Sequence, residues 1–169
     1  MKRKKRFSVL PVALEKVVAE MDLPNDEWTA FLNRRTGELV TVTDEEARAV
    51  EDGEEMSDAP DWERDNLPQV REVLASKDYL PLPGRFEIHE YQIMQRFCGE
   101  VEDPELRAKL LDSISGRGAF RMFRSVLDEH GVTEIWYKYR QRALEDIAAE
   151  WLDAHGIAYT RGQESRNAN

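Results

Sequence analysis

The sequence has few of the residues that mark several common classes of protein. It contains one cysteine, Cys98, so no disulfide can form within the chain, and this is typical of a reducing compartment. Its three histidines are too far apart for the short spacing of a metal-binding helix, so we expect no bound metal. No stretch approaches the roughly 20 apolar residues of a membrane-spanning helix. These absences predict a cytoplasmic protein that does not cross a membrane.

The basic start of the chain does not have the pattern of a signal peptide. Residues 2–6 are all Lys or Arg, and the apolar stretch that follows is interrupted by Ser8 and Pro11. No cleavage site with small residues comes after it, which a secretory signal needs. We interpret residues 1–8 as a basic tail.

Negative charge is abundant and unevenly distributed. The net charge is −10, and 41% of the residues are hydrophobic, which fits a globular protein and argues against nucleic-acid binding by the whole surface. Residues 44–65 include eleven Asp or Glu but only two arginines. Such a run is usually solvated surface, yet it can also attract a basic partner. The candidate partner-binding residues are Asp44, Glu45, Glu46, Glu54 and Glu55.

The apolar pattern predicts an α+β fold in which helices predominate, with an N-terminal β-hairpin or small antiparallel sheet packed on a helical C-terminal half. Two β-rich arms flank the turn residues 33–37 and predict the hairpin. An isolated hairpin is only marginally stable, so it must pack on helices or gain a third strand. Apolar residues at helical spacing predict helices at about residues 10–21, 44–51, 62–74, 88–98, 104–115, 118–130 and 133–155. Residues 157–160 suit a short strand.

The organisation along the chain predicts one domain. We expect a single α+β domain at residues 9–160 and a flexible polar tail at 161–169. The proline-rich segment 79–85 is the best candidate for an internal boundary, because it separates the hairpin half from the helical half.

Six pieces of the sequence follow one another in a specific order: residues 31–40, 86–97, 116–124, Trp136, Ala143 and residues 151–152. Taken in this order, they resemble a bacterial family known as uncharacterised protein family 0158. The resemblance spans residues 28–155 and implies one shared fold, a bacterial cytoplasmic setting and no established activity. The chain has Asn33 where the family commonly has an acid.

The most specific of these pieces is also the best candidate site. Gly118 begins a predicted helix, and Arg117, Arg121 and Arg124 follow one another at i, i+4 and i+7. The planar guanidinium of arginine suits phosphate groups, and the free N–H groups of a helix start can bind an anion. These four residues are therefore candidates for binding a nucleotide or nucleic acid.

The same stretch also has a structural interpretation, which the sequence by itself favours. Two glycines make a tight turn between helices, and the arginines pair with nearby acids such as Asp112, Asp128 and Glu129. Phe120 and Phe123 then share an apolar face that packs in the core.

Basic and aromatic residues continue into the next helix. Tyr137 and Lys138 are the best candidates for exposure there, and base stacking on tyrosine beside a cation suits single-stranded nucleic acid. Arg140 and Arg142 extend the basic character. Trp136 and Tyr139 favour the core instead.

No pattern in the sequence predicts catalysis. The Gly-x-Gly lacks the Lys-Ser/Thr of a phosphate-binding loop, the serines lack a nucleophile elbow, and the paired acids are adjacent and surface-like. We predict no catalytic residue and no cofactor. The leading hypothesis is a non-catalytic binding or regulatory protein that acts through contacts with a protein partner. The alternative is nucleotide or RNA binding through the arginines, and an enzyme built from scattered residues is a weaker third hypothesis.

Overall fold

The computed structural model of the chain describes residues 11–23, 26–53 and 60–162. The predicted tail at 1–8, most of the one at 161–169, and Glu54 and Glu55 lie outside these residues. Two compact units are present, one made of residues up to Gly84 and from Ala148 onward, the other of Arg85–Ile147. The chain passes from the first unit to the second at residues 84 and 85 and returns at residues 147 and 148. The prediction of a single domain stays a prediction.

Helices predominate over two small sheets, so the predicted α+β class is confirmed. The long α8 begins in the second unit and ends in the first. The elements in chain order are β1 (Val12–Ala13), α1 (Leu14–Met21), β2 (Trp28–Asn33), β3 (Leu39–Thr43), α2 (Asp44–Asp52), α3 (Asp61–Ala75), β4 (Tyr79–Pro81), α4 (Arg85–Ile88), α5 (Glu90–Glu100), α6 (Pro104–Ser113), α7 (Ala119–Glu129), α8 (Thr133–Ala154) and β5 (Tyr159–Thr160).

The predicted hairpin is confirmed as the antiparallel pair β2 and β3, in a register that places Leu32 opposite Leu39. The turn is stabilised by Asn33, whose Oδ1 accepts the N–H groups of Arg35 at 2.8 Å and Thr36 at 3.1 Å. Gly37 has a φ of +76°, a left-handed conformation that glycine adopts without strain.

A third strand completes this sheet, in the order β3-β2-β4. The sequence predicts only a proline-rich connection at β4, and the structure corrects this: Leu80 pairs with Leu32. Proline is tolerated because β4 lies at the sheet edge, where an absent N–H does not interrupt a ladder.

One face of the sheet packs against α2 and α3. Val42 of β3 and Tyr79 of β4 are buried with Val70 and Val73 of α3. Phe31, Val40, Ala47 and Val50 pack around this cluster and are partly buried. The hydrophobic core of the sheet is thus built with helices from its own half of the sequence.

Several predicted boundaries are wrong, and tertiary pairing explains part of the difference. The first helix begins at Leu14, because Val12 and Ala13 form a short parallel pair with Tyr159 and Thr160. The expected helix at 62–74, by contrast, matches the 15-residue α3 to within one residue at each end. The predicted helix at 88–98 was expected to stop at Gly99, but Gly99 lies within α5, which continues to Glu100. The helix propensity penalty of glycine, about 1 kcal/mol, is small enough to allow this.

Candidate functional site

The candidate site lies in the second unit, at the start of α7. Gly116 and Gly118 have φ values of +107° and +73°, and this confirms the predicted tight turn between helices. No side chain caps α7, and the N–H of Met122 donates to the carbonyl of Gly118 at 3.0 Å. The three N–H groups before Met122 therefore precede the first hydrogen bond of the helix.

An aromatic cluster fixes which side of α7 points inward. The ring of Phe123 lies 4.9 Å from that of Trp136 and 6.1 Å from that of Phe97, both edge to face. Phe97 also contacts Trp136 at 5.2 Å and Tyr139 at 5.3 Å. The cluster joins α5, α7 and α8, and such pairs stabilise beyond the area they bury. Phe123 and Leu127 are accordingly buried.

Phe120 does not join this core, and the prediction that it does is wrong. Its side chain is 50% exposed, although it is spaced to share the helix face of Phe123 and Leu127. Periodicity indicates the direction of a side chain, but it does not indicate how far neighbouring helices extend over that face. The same reason applies to Tyr91 of α5: the helical spacing of residues 88–98 directs it inward, but it is exposed.

The three candidate arginines are all exposed. Arg117 lies in the turn, and Arg121 and Arg124 lie on α7, where side chains three apart have Cβ atoms about 5–6 Å apart. Within the described ranges, none of the three forms an ion pair.

The acids that the sequence offered as partners for these arginines do not pair with them in the described part of the chain. Asp128 Oδ1 instead accepts a hydrogen bond from the Thr133 hydroxyl at 2.6 Å. Asp112 and Glu129 are exposed. The structural interpretation of the stretch is therefore correct for the turn and for Phe123, but the arginine pairing that it requires is absent among these residues.

Tyr137 and Lys138 are exposed on α8, a different helix from the arginines. Consecutive helical residues point about 100° apart, because a turn has 3.6 residues, so these two side chains do not form one stripe. Trp136 is buried, as predicted, and Tyr139 is partly buried. Burial, followed by the neighbouring Glu100 carboxylate, raises the pKa of Tyr139.

Arg140 does not extend the basic surface, contrary to expectation. Its Nε lies 2.6 Å from Glu90 Oε1, and its Nη2 lies 3.2 Å from Glu90 Oε2. Both side chains are largely shielded from solvent, and this two-pronged geometry is the strong form of an arginine–carboxylate contact. Arg140 thus joins α8 to α5, and sequence spacing gave no signal for a contact fifty residues apart.

The acidic candidates differ among themselves. Asp44 and Glu45 are exposed in the first turn of α2. Glu46 is buried, and its carboxylate accepts the N–H of Thr43 at 2.9 Å while Thr43 Oγ1 accepts the N–H of Glu46 at 3.1 Å. This reciprocal capping gives Glu46 a structural role in the helix start.

Met122 was not recognised from the sequence as a surface residue. It is 55% exposed on α7, and Ile135 on α8 is exposed as well. Both residues lie on a different side of their helix from the buried Phe123 and Trp136. This helical position could have predicted their exposure from the sequence.

The remaining reactive groups show no catalytic arrangement within the described residues. Cys98 is buried, and burial raises the pKa of its thiol from 9.0 to about 11, so the thiol stays protonated near neutral pH. No three His, Cys, Asp or Glu side chains in the described ranges are grouped so that they could hold a metal. Across the same ranges, every helix is too short or too polar to span a bilayer.

Comparison with known proteins provides a family. The sequence profile of the Uncharacterised protein family (UPF0158) matches residues 9–165. The chain belongs to this family. A relative from Pseudomonas aeruginosa, "UPF0158 protein PA5073", is 33% identical over 66 residues, which cover 38% of this chain and 43% of the relative. The match thus spans less than half of that relative. No solved structure matches the chain.

The UPF0158 description and the name of this relative attach no activity to the family. The function of this member must therefore be argued from the chemistry of its own surface.

Proposed function

We propose that this UPF0158 member binds single-stranded nucleic acid through the α7 surface, which we define as Arg117, Phe120, Arg121 and Arg124. The observation that supports it is that all three arginines are exposed and form no ion pair with any described residue. Because the chain carries 34 acids against 24 bases, available partners are plentiful. Unpaired guanidinium groups remain available to phosphate oxygens.

The half-exposed ring of Phe120 provides the second element of this surface. It lies one helical turn before Arg124, and residues at i and i+4 lie on the same side of a helix. A base can stack on such a ring, which contributes about 1–3 kcal/mol and is tolerant of sequence. Tyr137 and Lys138 on α8 are secondary candidates for further contacts.

The charge distribution makes this a local and salt-sensitive interaction. Residues 113–127 contain three arginines and no acid, whereas the whole chain has a net charge of −10. Three phosphate contacts to a single strand predict a slope of log K against log salt of roughly −2, because each contact contributes about −0.7. Binding is therefore expected at low salt and should weaken steeply as salt rises.

The test is a fluorescence anisotropy titration with labelled oligouridylate and oligothymidylate over a series of salt concentrations. Changing Arg121 and Arg124 together to alanine should reduce the slope to about −0.7. The matched control changes Arg34 and Arg71 to alanine, two exposed arginines of the first unit, with the same change in net charge. Equal affinities and slopes for the two double variants would refute the proposal, and the two oligonucleotides show whether RNA or DNA is preferred.

A second candidate function is contact with a basic protein partner, which the sequence by itself favours. The specific observation is that Asp44 and Glu45 are exposed side by side at the start of α2, in the unit that carries most of the negative charge. The test is a pull-down at low and physiological salt, with Asp44→Asn plus Glu45→Gln as the variant. Failure to retain any partner at either salt concentration argues against it.

A further inference from the structure

Strand β3 lies at the edge of its sheet and leaves backbone groups turned outward. The N–H of Leu82 donates to the carbonyl of Ala30, and the N–H of Asn33 donates to the carbonyl of Glu38. Even-numbered residues of β2 therefore face β4, and odd-numbered residues face β3. Since Phe31 pairs with Val40, the backbone groups of Leu39 and Thr41 point away from β2 in the alternating antiparallel pattern.

The outward row has a defined length. It ends at Thr43, because the N–H of that residue is bonded to the Glu46 carboxylate at 2.9 Å. Leu39 and Thr41 thus offer two N–H and two C=O groups that bond to no residue in the described part of the chain. The strand has neither lysine nor proline, which commonly protect exposed edges from pairing, and the side chain of Thr41 is exposed.

Acids stand at both ends of this edge. Glu38 directly precedes β3 and is exposed, although its Oε2 accepts the hydroxyl of Tyr79 at 3.2 Å. Asp44 and Glu45 directly follow the strand and are exposed without such a contact among the described residues. We propose that the β3 edge binds an extended segment of a partner protein, with β-forming residues at its centre and Lys or Arg at its ends. This inference deepens the second candidate function, contact with a basic protein, and does not depend on the α7 surface.

Charge repulsion argues against a second copy of this chain as the partner that pairs with the β3 edge. Two β3 strands paired antiparallel about Thr41 would place Glu38 of one copy beside Asp44 of the other, at both ends of the pair. Like charges that face each other across strands destabilise the pairing. A segment with basic ends converts the same two positions into attractive contacts, and added-strand recognition takes its affinity from backbone hydrogen bonds.

The decisive variant is Thr41→Pro. Proline removes one outward N–H, and it should leave the β2–β3 ladder intact because that N–H does not point at β2. The matched control is Thr41→Val, which keeps the N–H and suits a strand. The probe is a fluorescein-labelled peptide of alternating valine and threonine with two lysines at each end, titrated by anisotropy against the full chain. Circular dichroism and the urea midpoint verify that each variant folds.

We expect the peptide to bind the wild type and Thr41→Val, and to bind Thr41→Pro at least tenfold more weakly. Asp44→Asn plus Glu45→Gln should weaken binding at low salt and have little effect at high salt, since salt screens exposed charges. This acidic-end variant also tests the proposal if Thr41→Pro does not fold.

Four results would overturn the inference. The first is equal binding by folded Thr41→Pro and wild type, and the second is equal binding of a peptide with glutamate in place of lysine. The third is binding only after residues 1–8 are deleted, which would make the chain's own basic segment the occupant. The fourth is failure of the wild type to bind the lysine-ended peptide. If a pull-down then still retains a basic partner, binding at the β3 edge is excluded and the second candidate function still holds.

Discussion

Two phenylalanines on α7 provide a matched test of how this helix is oriented. Phe123 is 2% exposed, and its ring lies 4.9 Å from Trp136 and 6.1 Å from Phe97. Phe120, three residues earlier on the same helix, is 50% exposed. Replacing each with alanine makes the same chemical change in two different environments.

The two substitutions should differ clearly in the free energy of unfolding. Loss of a buried phenylalanine costs about 3–5 kcal/mol, and the two edge-to-face contacts of Phe123 favour the upper half of that range. Phe120→Ala loses about half of a burial term of roughly 1.5–3 kcal/mol. Alanine has a better helix propensity than phenylalanine, and this offsets roughly 0.5 kcal/mol of the destabilisation at both positions. We therefore expect a difference of about 3 kcal/mol between the variants.

Urea unfolding followed by tryptophan fluorescence and by far-UV circular dichroism would measure this difference. Agreement between the two probes establishes that one free energy describes the transition. In thermal unfolding, the same difference corresponds to about 6–12 °C for a protein of this size. The expected difference is about 3 kcal/mol. If Phe120→Ala and Phe123→Ala lowered the free energy of unfolding by amounts within about 1 kcal/mol of each other, Phe123 would not be the buried residue of α7 and this orientation of the helix would be wrong.

Three further changes test local features of the fold. Asn33→Ala should destabilise by about 1–2 kcal/mol because the turn loses two accepted hydrogen bonds, whereas Asn33→Asp, which keeps an acceptor, should stay within about 0.5 kcal/mol in the same urea assay. Glu46→Ala breaks the capping box and should cost about 1 kcal/mol, with no loss expected for Glu45→Ala beyond about 0.5 kcal/mol. The pKa of Cys98 is raised in the folded state from 9.0 to about 11, so the thiol of the folded protein keeps its proton to a higher pH than the thiol of the unfolded chain. The free energy of unfolding should therefore fall as the pH rises from about 9 to about 11, by up to about 1.4 kcal/mol per pH unit. Cys98→Ala should flatten this fall, leaving the part due to Tyr139, whose pKa is raised as well; an unchanged profile would contradict the assignment.

Local signals in the sequence predicted much of the secondary structure. The β-rich arms on either side of residues 33–37 predict the hairpin. Asn33 and Gly37 stabilise its turn, as their residue types indicate. Asp103 caps α6 through bonds to the N–H groups of Glu105 and Leu106, as its position before a proline indicates. These features depend on residues only a few positions apart, so the sequence carries their full physical cause.

These local signals do not predict contacts between residues far apart in the sequence. Strand β4 contains Pro81 and is stabilised by β2, nearly fifty residues earlier. The bond between Arg140 and Glu90 likewise joins residues fifty apart. Neither contact leaves a trace in local spacing, because its stabilisation comes from a partner that only folding brings near.

The sequence by itself determined the helical character of the chain, the tight turn at Gly116–Gly118 and the spacing of Arg117, Arg121 and Arg124. It could not determine whether those arginines would be paired, because charge pairing depends on which acids the packed helices bring within reach. The tertiary structure decided this by burying Phe123 among Phe97 and Trp136, which turns the arginines toward solvent. It also left Phe120 half exposed beside them, because burial requires a neighbouring element over the ring, and helical periodicity alone does not supply one.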